Sequence, residues 1–154
     1  MDNIRLDENR ECVWIIDQTL LPNETKEIAL RTAQEMFDAI YYLQVRGAPA
    51  IGICAGYCLY ILARSHSELP FDEFYEAVKQ DAAYLNSSRP TAVNLSWALR
   101  RMQAVVEKNR QLPVADIVKK MEDEAIAIHR EDIAMCKAIS ELGLTLVKDG
   151  DGIL

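Results

Sequence analysis

The sequence predicts an α+β fold: a small N-terminal antiparallel β-sheet followed by a mainly α-helical bundle. Three observations predict it. Before residue 31 the apolar residues fall in short runs separated by turn formers, as in Ile4–Leu6 and Cys12–Ile16. From Thr32 onward they recur at helical spacing. Several of these later runs follow a proline, a favoured opening residue because its missing N–H is not needed there.

The elements follow in order. Ile4 and Leu6 lead into the turn-rich Asp7-Glu8-Asn9, and Cys12-Val13-Trp14-Ile15-Ile16 reads as a second strand. Leu21-Pro22-Asn23 breaks the chain before a third strand over Thr25–Ala29. Thr32-Ala33-Gln34-Glu35 is a capping-box pattern, and Met36, Phe37, Ile40 and Leu43 fall on one face of the helix it starts. No charge occurs between Arg46 and Arg64. That stretch is at the short end of the ~20 residues a membrane span needs. With Pro49, Gly52 and Gly56 inside it, it reads as a helix buried on all sides of a globular domain. Pro70–Leu85 gives the next helix, with Phe71, Phe74, Val78 and Ala82 as its stripe. Pro90 is expected to open another, offering Val93, Trp97, Leu99 and Met102 to the core. Pro113 precedes a long pattern through Ile117, Met121, Ile126, Ile133 and Ile139, with Gly143 as a candidate interruption. Lys148–Gly152 reads as a turn, and Ile153-Leu154 as the start of a buried strand. The expected division is therefore a sheet-plus-helix domain over 1–147, with 148–154 opening a second domain.

The chain has 154 residues, half of them hydrophobic, enough for one domain with its own core. Seventeen basic and 24 acidic side chains leave a net charge of −7. That balance argues against nucleic acid or an anionic membrane as partner, since both require a basic surface. Cys12, Cys54, Cys58 and Cys136 are scattered, and no secretory h-region precedes them, so reduced thiols and a cytoplasmic location are expected.

Two segments carry the same chemistry. In Val45-Arg46-Gly47-Ala48-Pro49 an arginine precedes a small-residue turn into a helix. Ser87-Ser88-Arg89-Pro90-Thr91 repeats the arrangement. A guanidinium beside the open amides of a helix N-terminus suits a phosphate or carboxylate. Arg46, Gly47, Ala48 and Arg89 are accordingly the candidate anion-binding residues, set against the bland alternative of solvated surface arginines. Cys54 and Cys58 share a helix face but lack further ligands, since His66 and His129 sit in unrelated contexts, so no metal site is expected. Glu122, Asp123, Glu124, Glu131 and Asp132 read as a solvated helix face. There is no Gly-rich nucleotide loop and no nucleophile elbow.

The two arginine segments extend to Val45–Gly52 and to Ser88-Arg89-Pro90-Thr91-Ala92-Val93-Asn94-Leu95 followed by Trp97 and Arg101-Met102. Together with Glu131-Asp132-Ile133 and Gly150–Leu154, they closely resemble the methylthioribose-1-phosphate isomerases of methionine salvage, within the initiation-factor 2B superfamily. The resemblance implies a Rossmann-like second domain opening at the end of this chain and carrying most of a homodimer contact. It implies a substrate site between the two domains, and Arg46, Gly47, Ala48 and Arg89 match that family's substrate-binding positions. The implied reaction converts S-methyl-5-thioribose 1-phosphate, a sugar 1-phosphate aldose, to the ribulose 1-phosphate without a cofactor. The family's catalytic cysteine and aspartate would lie beyond Leu154, so no catalytic residue is expected in this chain and the chain alone should be inactive. Two alternatives remain: a non-catalytic regulatory subunit of the same superfamily that binds a sugar phosphate or nucleotide, and a free-standing helical interaction domain.

Overall fold

Strands β1 (Ile4–Leu6), β2 (Val13–Ile16) and β3 (Glu27–Leu30) pair in that order as an antiparallel sheet in a computed structural model that describes residues 3–152. Ile4 faces Ile15 across β1–β2, and Trp14 faces Ala29 across β2–β3. Alternation sets the two faces: Val13 and Ile15 are buried in the core, while Trp14 between them points to the half-open side. There its indole donates to Asp7 Oδ1 at 3.1 Å, under the Arg5 guanidinium 5.1 Å from the ring.

Helix α1 (Ala33–Tyr41) starts with the expected capping box. Thr32 Oγ1 accepts from the Glu35 amide at 3.2 Å, and Glu35 Oε2 accepts from the Thr32 and Arg31 amides at 2.9 and 2.7 Å. Those amides hold the Glu35 carboxyl below its ordinary value, against the opposing effect of burial. Thr32→Ala is expected to cost about 1 kcal/mol by urea unfolding near neutral pH. Because the folded-state pKa of Glu35 is depressed, its contribution is complete above the ordinary carboxylate pKa and is lost as pH falls through the folded value. The penalty of Glu35→Ala should therefore shrink on acidification. Met36 and Ile40 are buried as the pattern requires, but Leu43 is not on their face. The helix ends at Tyr41, and the chain folds back over its end: Leu43 takes φ +62°, and the Val45 amide donates to Ala39 O at 3.0 Å.

Helix α2 (Ala48–Ser65) is the axis of the domain. Every residue from Ile51 to Ala63 is buried, with α1, α3, α4, α5 and the sheet packed around it. Its length and composition would suit a membrane span, but here its apolar surface is covered by protein. Cys54 and Cys58 lie wholly inside the core, sulfurs 3.7 Å apart, where they act as small hydrophobes. Helix α3 (Phe71–Ser87) buries Phe74, Val78, Ala82 and Leu85.

Helix α4 (Val93–Lys108) begins three residues later than the sequence suggests. Pro90 lies instead in a turn closed by the Ala92 amide on Arg89 O at 2.9 Å, where its fixed φ serves the second turn position. Leu99 and Met102 join the core, but Val93 and Trp97 do not: they are 75% and 42% exposed. Trp97 flanks a surface groove, with the Arg101 guanidinium 5.4 Å from its ring. Helix α5 (Val114–Leu144) buries Ile117, Met121, Ala125 and Ile128, with Ile126 half-buried. Beyond Ile128 its stripe has no partner among the described residues, so Ile133, Ile139, Leu142 and Leu144 are exposed. Gly143 does not interrupt it; the helix runs on to Leu144. The predicted turn forms at Lys148–Asp151, closed by the Asp151 amide on Lys148 O at 3.1 Å. The strand expected at Ile153-Leu154 lies outside the described residues.

Candidate functional site

Two helix starts meet at one end of the bundle. Gly47 is the N-cap of α2 at φ +93°, a conformation that residues with a Cβ rarely adopt, and it turns the chain sharply from Arg46 into the helix. Ala92 is the N-cap of α4. Neither helix start carries a side-chain cap, in contrast to α1. Their first-turn N–H groups are therefore left open, with the positive ends of the helix dipoles behind them.

Arg46, Gly47, Ala48 and Arg89 all line one cleft of about 520 Å³, completed by Leu43, Ile51 and the segment Thr91–Asn94. The two arginine segments thus converge, as their repeated pattern suggests. Among the described residues, neither Arg46 nor Arg89 forms an ion pair or a side-chain hydrogen bond. Arg101 shows the opposite condition: it is bound by Glu124 and holds Glu131 at 2.5 and 2.8 Å, which raises its pKa. Arg10 likewise donates to Glu122 at 2.7 Å. The acidic stretch of α5 is therefore not simply solvated: part of it neutralises arginines from other elements. Tyr60 also donates to Glu122, at 3.1 Å, and burial together with that carboxylate pushes its phenol up to about 12.

Among the described residues, the cleft lining contains no cysteine, histidine or carboxylate. Cys12, Cys54 and Cys58 are buried and Cys136 is exposed on α5. His66 is held by Asp81 at 3.0 Å, and His129 Nδ1 lies 2.9 Å from the Tyr57 hydroxyl. What the cleft offers is two cations, open amides and an apolar wall. That is equipment for gripping an anion. Leu43, Val93 and Asn94 are cleft residues that periodicity misplaced or passed over, because Leu43 leaves its helix and α4 starts late. A second groove of about 410 Å³ shares Val93 and Asn94 and runs between α2, α4 and α5 past Trp97 and Met135.

The initiation factor 2 subunit family matches residues 44–154, a span that holds both arginine segments. The chain belongs to this family. A 5-deoxyribose 1-phosphate isomerase of Clostridium botulinum (strain Loch Maree / Type A3) is 48% identical over 151 residues, covering 98% of this chain and 43% of the relative. A methylthioribose-1-phosphate isomerase of Symbiobacterium thermophilum is 44% identical over 154 residues, 100% of this chain and 43% of the relative. Two solved structures carry the same fold. One is a translation initiation factor eIF-2B delta subunit from A. fulgidus, with a TM-score of 0.87 at 34% identity over 98% of this chain and 43% of that one. The other is a 5-methylthioribose 1-phosphate isomerase from Pyrococcus horikoshii, with a TM-score of 0.79 at 35% identity over 84% of this chain and 36% of that one. The chain spans about 43% of the length of these curated relatives. The α+β fold is thus that of an initiation factor 2 subunit family domain, with a three-stranded sheet ahead of five helices.

Proposed function

We propose that this chain is the N-terminal, sugar-phosphate-binding part of an aldose–ketose isomerase acting on S-methyl-5-thioribose 1-phosphate or its 5-deoxy counterpart. The observation that carries the reading is the pairing of two arginines, unpartnered among the described residues, with two uncapped helix starts in one cleft. The names of the relatives supply the substrate class. Arg46 and Arg89 hold the 1-phosphate, the Gly47 and Ala48 backbone approaches it closely, and the apolar wall takes the less polar side of the sugar. Isomerisation moves a hydrogen from C2 to C1, which needs an acid and a base that this cleft does not contain. In this reading they come from a Rossmann-like domain that residues 148–154 open. The exposed stripe of α5 from Ile133 to Leu144, continued by Leu146 beyond the helix, supports contact with that domain. A homodimer formed through the same domain, and a cytoplasmic setting in which the four free thiols stay reduced, complete the proposal.

The test is turnover. The 154-residue chain is expected to bind the sugar phosphate weakly and to leave it unchanged, since loss of the acid/base groups alone costs ~10²–10⁴-fold. The full-length polypeptide should produce the ketose 1-phosphate. Turnover by the short chain comparable to that of the full-length polypeptide would overturn the division of labour. The similarity to the A. fulgidus initiation-factor subunit, which extends over nearly the whole chain, favours a second reading: a non-catalytic subunit that binds a sugar phosphate or nucleotide. Binding by the full-length polypeptide without any ketose product would select it.

A further inference from the structure

Arg46 hangs from a segment with little structure of its own. It follows Leu43 at φ +62° and precedes Gly47 at φ +93°, and its side chain has no bonded partner among the described residues. The Val45 amide on Ala39 O and the buried Val45 side chain fix one side of it, and the tether at Gln44 fixes the other. Gln44, two residues earlier, is stitched twice to the loop after β2. The Gln18 amide donates to Gln44 O at 3.0 Å, and Gln44 Nε2 donates to Asp17 Oδ2 at 3.0 Å. Asp17 is only 6% exposed, the one buried charged residue among the described residues. Its other oxygen accepts from the Thr19 amide at 3.0 Å and the Thr19 hydroxyl at 2.6 Å. The Asp17 amide donates to Lys26 O at 2.8 Å, which ties its backbone to the foot of β3.

We infer that Asp17 is a positioning residue: acting through Gln44, it braces the Arg46 segment so that the N-terminal sheet sets the geometry of the anion cleft. A buried carboxylate is costly unless its acceptors are filled, and three donors fill this one. Burial alone would raise its pKa, yet the bonds from Thr19 and Gln44 outweigh burial and keep it below the ordinary carboxylate value. The carboxylate thus stays ionised at neutral pH and remains a strong acceptor for the Gln44 amide. This inference rests on the reading of the cleft as a phosphate site.

The test uses the 154-residue chain, inorganic phosphate as the probe, and the Gly47 amide and Arg46 Nε–H resonances as the readout. In Asp17→Asn the charged acceptor is gone, and the Gln44 amide keeps only a neutral bond by flipping to offer Oε1. Phosphate should then bind roughly five- to tenfold more weakly, the equivalent of about one hydrogen bond of ordinary net strength. Gln44→Ala removes the tether while leaving the Asp17–Thr19 bonds intact, so it should fold and show a loss of the same order. The double variant Asp17→Asn/Gln44→Glu restores an N–H···O bond with donor and acceptor exchanged, and should recover most of the affinity. If the parent chain binds phosphate, Arg46→Ala does not, and both Asp17→Asn and Gln44→Ala bind like the parent, the brace is overturned while the phosphate site stands. A lowered melting temperature with unchanged phosphate affinity overturns it in the same way, because it shows a merely structural bond. If the Gly47 amide of the parent chain and that of Arg46→Ala respond identically to phosphate, the phosphate site itself is overturned and the brace with it.

Discussion

Arg46→Ala or Arg89→Ala in the full-length polypeptide weakens sugar-phosphate binding roughly ten- to a hundredfold, the loss expected when one charge-assisted hydrogen-bond set to a phosphate is removed. Titration calorimetry on the purified variants reads it directly. The two positions should not be equal. Arg89 is half-buried and Arg46 exposed, so water competes less with Arg89 and its loss should be the larger. Lysine at either position keeps the charge but not the planar fork, and should recover only part of the affinity. Both guanidiniums line one cleft, so if they grip the same phosphate the double variant should lose less than the sum of the single losses. Strict additivity would mean separate anions, and affinity unchanged in both single variants would remove the anion site altogether. Stability should move little in either variant, because neither arginine has a side-chain partner to lose among the described residues.

The sheet, the capped α1, the buried α2 and the anion-binding chemistry of the two arginine segments were all legible in the sequence, each for a local physical reason. Two periods in the apolar pattern distinguish strand from helix, Thr32 and Glu35 carry their cap within four residues, and a charge-free run needs full burial. The misses share a different cause. Leu43 and Val93 sit beside helix ends, and whether a residue there continues the helical stripe depends on contacts made elsewhere in the chain. Leu43 is turned out because Val45 bonds back to Ala39. Val93 and Trp97 sit on the exposed side because α4 starts after the turn at Pro90 rather than at it. Nor does local pattern reveal that Glu124 and Glu131 bind Arg101, 23 and 30 residues away. Asp17 left no local signal at all, because a lone aspartate after a strand reads as a turn residue. Its partner Gln44 is 27 residues along the chain, and nothing in either neighbourhood announces the other.

The other large effect concerns the contact that fixes the second helix start. Gly52 lies where α2 crosses the first turn of α4. A Cβ built there would fall 2.9 Å from the backbone oxygen of Asn94 and 3.4 Å from its carbonyl carbon and its Cβ. The obstacle is main chain, which cannot swing aside as the tip of a flexible side chain would. Gly52→Ala must therefore push α4 away from α2 at the very turn whose amides open into the anion cleft. Overpacking of this kind costs about 1–3 kcal/mol, against a gain of up to about 1 kcal/mol from replacing glycine inside a helix. The net expectation is a destabilisation of about 1–2 kcal/mol by denaturant unfolding, together with weaker phosphate binding even though neither arginine has been touched. Gly143→Ala supplies the control. It lies within α5 and its added Cβ meets nothing within 4 Å, so only the helical gain remains and stability should rise by up to about 1 kcal/mol. The same change of one hydrogen to one methyl is thus expected to have opposite signs in two helices, and only the α2 position should alter binding. A Gly52→Ala variant as stable as its parent, with unaltered phosphate affinity, would show that α4 can shift freely. The close α2–α4 crossing would then not be what holds the second helix start in the cleft.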